Sequence, residues 1–120
     1  MKKVLTLTVN KEWFSRILSG GKTEEYREIK DYWITRLFDI PNDFVNIIED
    51  IPMLVENHLL NVPKFLEWAR GFTHVLFVNG YGDDKPRVEK EIESITIGKP
   101  KKGWCPDEFL DKEYFVIKFK

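Results

Sequence analysis

From Lys22 to Arg27 the chain reads Lys-Thr-Glu-Glu-Tyr-Arg, which puts one ammonium, one guanidinium, two carboxylates, a hydroxyl and a phenol into six consecutive residues. A plain connection requires none of these. In an extended backbone alternate side chains share a face, so Thr23, Glu25 and Arg27 fall on one side and Glu24 and Tyr26 on the other. On an open surface a Glu25–Arg27 pair contributes only about 0–1 kcal/mol. In a concavity the same residues have another use. Arg27 offers a planar fork for phosphate or carboxylate, and Glu25 accepts a hydrogen bond from a base edge or a hydroxyl. Lys22 directly follows Gly20-Gly21, so its cation either covers the carbonyl end of a preceding helix or reaches into a cleft.

The elements around this segment are readable from periodicity. Val4–Val9 alternates Leu5, Leu7 and Val9 against Thr6 and Thr8, which predicts a strand. Asn10 is a helix cap, and Trp13, Phe14, Ile17 and Leu18 form one apolar stripe behind it. Gly20 and Gly21 supply the positive-φ stop. Asp31 is expected to cap a second helix, with Trp33/Leu37 and Ile34/Phe38 as i, i+4 pairs and Pro41 closing it. Phe72–Asn79 has the near-continuous apolar run of a buried strand. Asn79-Gly80 and Gly82-Asp83-Asp84 are turn chemistry. Arg87–Ile97 and Tyr114–Phe119 are two further strands, separated by a loop from Gly98 to Asp107. Such an order is not a βαβ series. It predicts an α+β fold in which a small mixed sheet, or a partly closed barrel, carries helices at its side.

Residues 42–70 differ from their surroundings. They hold five acids against two bases. Phe44, Ile47, Ile48 and Ile51 form one helical stripe, while Phe65, Trp68 and Ala69 form another. Pro52 and Pro63 divide the stretch into short helices, because proline suits a first turn and spoils an interior. The expectation is a helical insert at about 42–70 on the surface of a single domain spanning 1–120, with a protein partner as one use for it.

The totals bound the rest. One domain with a real core is the natural reading of 120 residues that are 42% hydrophobic. A net charge of −1 argues against nonspecific coating of nucleic acid, though a local patch can still hold a phosphate. The one cysteine, Cys105, excludes an internal disulfide and fits a reducing, cytoplasmic setting. His58, His74 and Cys105 give no zinc spacing, so neither metal nor cofactor is expected. The apolar part of the opening segment is too short for a signal peptide, and no run reaches membrane-spanning length.

Secondary candidates have simpler structural explanations. His74 in an apolar strand reads as a hydrogen-bonded core residue, and Cys105 as an inert thiol. Lys99, Lys101 and Lys102 beside Trp104 combine charge with a stacking surface, but a solvated lysine loop is the commoner arrangement. Glu89, Glu91 and Glu93 give one strand an acidic face, expected to be solvated.

Taken together, the strand Val4–Val9, the helix Lys11–Ser19, Gly20-Gly21-Lys22-Thr23-Glu24-Glu25-Tyr26-Arg27 and Tyr32-Trp33-Ile34-Thr35-Arg36-Leu37 resemble the ASCH domain, a PUA-like β-barrel family. The family hallmark, a Gly-x-Lys-Thr-x-Glu-x-Arg-like segment after the first helix, is matched from Gly20 to Arg27. Val75–Gly82, Ile95–Gly98 and Glu113–Lys118 are further echoes, and residues 41–71 lie outside the resemblance. It implies a small PUA-like mixed β-barrel with flanking helices and a cleft that binds RNA or a nucleotide-like ligand through Lys22, Thr23, Glu25 and Arg27. One branch of the family hydrolyses N4-acetylcytidine, using its lysine to activate a threonine three residues later. Here Lys22 matches the lysine, while Glu25 occupies the nucleophile position. An enzyme built on this chain would therefore use Lys22 and Glu25 differently, with Lys22 as base and Glu25 activating water.

Overall fold

Apolar residues at every second position make Val4–Val9 strand β1, with Leu5, Leu7 and Val9 buried and Val4 and Thr6 outward. The computed structural model describes residues 1–120. It continues with helix α1 (Lys11–Leu18), strand β2 (Glu24–Arg27) and helix α2 (Asp31–Leu37). A 3-10 helix over Asn42–Asp50 leads into α3 (Ile51–Glu56) and α4 (Val62–Leu66). Strands β3 (His74–Asn79), β4 (Arg87–Gly98) and β5 (Tyr114–Phe119) complete the chain, with a short 3-10 turn at Asp107–Phe109.

The five strands form one mixed sheet in the order β1-β3-β4-β5-β2. Strand β1 runs parallel to β3, with Leu5 opposite Val75 and Leu7 opposite Phe77. Strand β3 runs antiparallel to β4. The fold is thus α+β, as expected, but the sheet is open rather than a barrel. Closure would need hydrogen bonds between the edge strands β1 and β2, and the order contains no such pairing.

Other expectations shift by a residue or more, each for a local reason. Asn10 caps α1 as expected, its side chain accepting from the Trp13 N–H at 3.0 Å. Of the two glycines after it, only Gly20 takes positive φ (86°). Asp31 is not the cap of α2. The first helical bond runs from the Ile34 N–H to the Lys30 carbonyl, so Lys30 is the cap and Asp31 sits in the first turn, where its charge still suits the helix dipole. Helix α2 stops before Pro41, because Phe38 turns extended and bridges to Ala69. Strand β3 starts at His74 rather than Phe72, and the Thr73 hydroxyl instead accepts the Lys3 N–H at 2.8 Å.

The chain divides into two compact units. The first comprises Met1–Glu25, Gly71–Ser94 and Ile117–Lys120. Its core is Leu5, Leu7, Phe14, Ile17, Val75, Phe77, Ile117 and Phe119, with the Phe77 and Phe119 rings 4.9 Å apart. The second comprises Tyr26–Arg70 and Ile95–Val116. There Phe38, Phe65 and Phe115 pack as an aromatic cluster with centroid separations of 4.4, 5.3 and 6.3 Å. Residues 42–70 supply Ile51, Val55 and Phe65 to this core. Pro52 and Pro63 do fall in first helical turns.

Candidate functional site

Lys22 owes its position to the end of α1. Gly20 lets the chain reverse, its N–H reaches the Ile17 carbonyl at 3.2 Å, and the Lys22 N–H reaches the Arg16 carbonyl at 3.1 Å. That second bond anchors Lys22 one helical turn beyond Trp13. The Lys22 Nζ lies 4.5 Å from the centroid of the Trp13 indole and 3.3 Å from Oε1 of Glu25. Lys22 is 1% exposed and Glu25 7%. An ammonium stripped of water in this way needs both a counter-charge and a π-face, and it has them. Arg16 stacks on the same indole, its Cζ 5.1 Å from the centroid. Thr23, half-buried between the pair, accepts the Phe119 N–H on its carbonyl at 3.0 Å, which ties the segment to β5.

Arg27, the fourth residue expected at the site, belongs to the second unit. Its Cζ lies 5.1 Å from the Trp33 ring centroid, and Arg36 reaches the same ring at 5.4 Å. Arg36 also donates from Nη1 to the Tyr32 hydroxyl at 3.0 Å, and Tyr32 meets Trp33 edge-on at 4.8 Å. Tyr32 is 57% exposed. Sequence reasoning singled out Arg27 but missed Trp33, Arg36 and Tyr32 as its companions. The available signal was their spacing, since Tyr32/Arg36 and Trp33/Arg36 stand four and three apart on one helix and therefore share a face. Trp13 was missed too, having been assigned to the core stripe.

The secondary candidates resolve individually. His74 is half-buried, with Nδ1 2.8 Å from the Thr73 hydroxyl. Cys105 is buried and forms no disulfide. Lys101 donates its backbone N–H to the Tyr26 hydroxyl at 3.0 Å and lays its ammonium 4.3 Å over Trp104. The acidic strand face is met by lysines: Lys2–Glu89 at 2.7 Å, Lys120–Glu91 at 3.3 Å and Lys118–Glu93 at 3.9 Å.

The second unit also has an open depression of about 740 Å³ bounded by Ile29, Val55, Lys99, Glu108, Phe109 and Tyr114 among others. None of the four residues expected from sequence lines it. No cluster of His, Cys, Asp and Glu is arranged to hold a metal ion, and no helix is long and apolar enough to cross a membrane. No protein family, curated protein or solved structure matches the chain.

Proposed function

We propose that this chain is an ASCH-like domain of PUA-like type that binds RNA or a nucleotide-like ligand in a cytoplasmic setting, with Arg27 as its principal phosphate contact. The observation carrying this reading is the convergence of two guanidiniums, Arg27 and Arg36, on the Trp33 indole beside the exposed ring of Tyr32. Like charges held together on an aromatic face favour an anion. Guanidinium forks match phosphate oxygens, and an exposed phenol ring offers a surface on which a base can stack. A net charge of −1 limits such binding to a small footprint, in keeping with a single-stranded or unstacked base.

Lys22, Thr23 and Glu25 take part as the frame of the segment. Lys22 is committed to Glu25 and Trp13, so its contribution is to keep the Glu25 carboxylate fixed in place. A second reading, hydrolysis of a modified nucleoside such as N4-acetylcytidine, rests on that same pair. A desolvated lysine beside a carboxylate is the arrangement in which a proton can be moved to or from a bound water.

Binding of cytidine monophosphate and of a short single-stranded RNA to the wild type, Arg27→Gln and Arg36→Gln tests the first reading. Each variant is expected to bind about tenfold more weakly with an unchanged melting temperature. Wild-type affinity in both variants would sink it. Incubation with N4-acetylcytidine and chromatography for free cytidine tests the second, and no product at high protein concentration removes it.

A further inference from the structure

We infer that Arg70 is a positioning residue for the proposed phosphate-binding face of α2, fixing the backbone on both sides of Arg36, a role that rests on the nucleotide-binding reading of that face. Helix α2 has seven residues, Asp31–Leu37. A helix this short is not stable alone in water, and its last carbonyls have no partner within the helix. The direction in which Trp33 and Arg36 point is therefore set by whatever holds the final turn.

Residues 68–70 hold it. The last helical bond runs from the Phe38 N–H to the Ile34 carbonyl at 3.0 Å. The Asp39 N–H, which a continuing helix would give to Thr35, goes instead to the Trp68 carbonyl at 2.7 Å. Arg70 takes over: its Nε donates to the Thr35 carbonyl at 3.0 Å, and its backbone N–H donates to the Leu37 carbonyl at 3.0 Å. Thr35 and Leu37 are the neighbours of Arg36 on either side, so a single residue brackets the position that carries the guanidinium. A bridge between Phe38 and Ala69 continues the contact. A cation also suits the carbonyl end of a helix.

Arg70 is anchored well enough to act as a brace. The Trp68 ring lies 5.2 Å from Phe44 and 6.1 Å from Phe65, and Phe65 lies 4.4 Å from Phe38 in the core. All of these residues belong to the second unit. The Arg70–Asp39 ion pair matters less, at 3.9 Å with side chains 36% and 79% exposed, since exposed pairs contribute little. Positioning is carried by the bonds to the carbonyls. The 42–70 stretch, which lies outside the ASCH resemblance, thus ends in the residue that orients the site.

The test is binding of cytidine monophosphate and a short single-stranded RNA to the full chain, well below the melting temperature of every variant, with circular dichroism checking that each is folded. Arg70→Met keeps the length of the side chain and loses its donors. It should bind both probes about threefold to tenfold more weakly, and the indole N–H resonance of Trp33 should move. Arg70→Lys, which can still reach the Thr35 carbonyl, should recover most of the affinity, and Asp39→Ala should bind like the wild type. The slope of log affinity for RNA against log salt should be unchanged in Arg70→Met, whereas Arg36→Gln should flatten it by about 0.7. Wild-type affinity in folded Arg70→Met overturns the inference and leaves the binding reading standing. A slope flattened as much as in Arg36→Gln overturns it as well, making Arg70 a direct phosphate contact, and so does an equal loss in Asp39→Ala, which would give the effect to the ion pair. A wild type that binds neither probe removes the binding reading, and the role of Arg70 with it.

Discussion

Two tryptophans in this protein stand in nearly the same local arrangement and are put to opposite ends. Trp13 in α1 and Trp33 in α2 each have an arginine three residues later on the same helix, and each receives a second cation from the segment between the two helices. Around Trp13 that cation is Lys22, buried and paired with Glu25 at 3.3 Å. Around Trp33 it is Arg27, half-buried, beside the half-buried Arg36. The difference lies in solvent. A compact ammonium that loses its water becomes a structural commitment, because its partner cannot be removed without leaving a buried charge. A guanidinium is weakly hydrated and planar, so it can lie on a ring and still present donors outward. The first arrangement stabilises; the second keeps its cations half-exposed, as the proposed phosphate contact requires.

The most severe way to break the comparison is Lys22→Met. It strands the Glu25 carboxylate in the interior and is expected to lower unfolding free energy by about 3–5 kcal/mol, read by urea denaturation. Adding Glu25→Leu should recover most of that loss. If the double variant is no better than the single one, the cost is in packing and not in the orphaned charge. Trp13→Leu comes next, at about 2 kcal/mol, since it removes both the π-face and the cover over the ammonium. Trp33→Leu should cost stability only about 1 kcal/mol while weakening nucleotide binding, and an equal loss of stability in the two variants would erase the distinction. Smallest is Lys120→Ala. Its pair with Glu91 has the same 3.3 Å separation as Lys22–Glu25, but with the side chains 59% and 56% exposed. A change of under about 1 kcal/mol is expected, which would show that separation alone does not set the strength of these pairs.

Much of the scaffold could be read from residue order because it rests on strong periodicity. Strands β1 and β5 run from Val4 to Val9 and from Tyr114 to Phe119, the limits that alternation and apolar runs imply. The stretch over Asn42–Asp50 was harder. Its amphipathic stripe was visible, but asparagine, aspartate and β-branched residues form α-helix poorly, and the segment winds as a 3-10 helix with no buried residue. At the site, the charged run from Lys22 to Arg27 was conspicuous, whereas the burial of Lys22 was not. A lysine carries no mark of its own desolvation. That follows from an indole nine residues back and a backbone bond to Arg16, and both depend on the reversal at Gly20. Whether the mixed sheet closes into a barrel was likewise hidden, because pairing partners are set by tertiary arrangement.

The three-piece composition of the first unit bears on how the protein is made. Strand β1 finds its parallel partner only at His74–Asn79, and the segment carrying Lys22 is held by the Phe119 N–H on the Thr23 carbonyl. During synthesis, at roughly 5–20 residues per second, the first twenty-five residues must therefore wait several seconds with their apolar strand unpaired. Contacts of such long sequence separation also slow folding. Nascent chains stalled before His74 should display β1 to chaperones, and extension through Asn79 should let it pair.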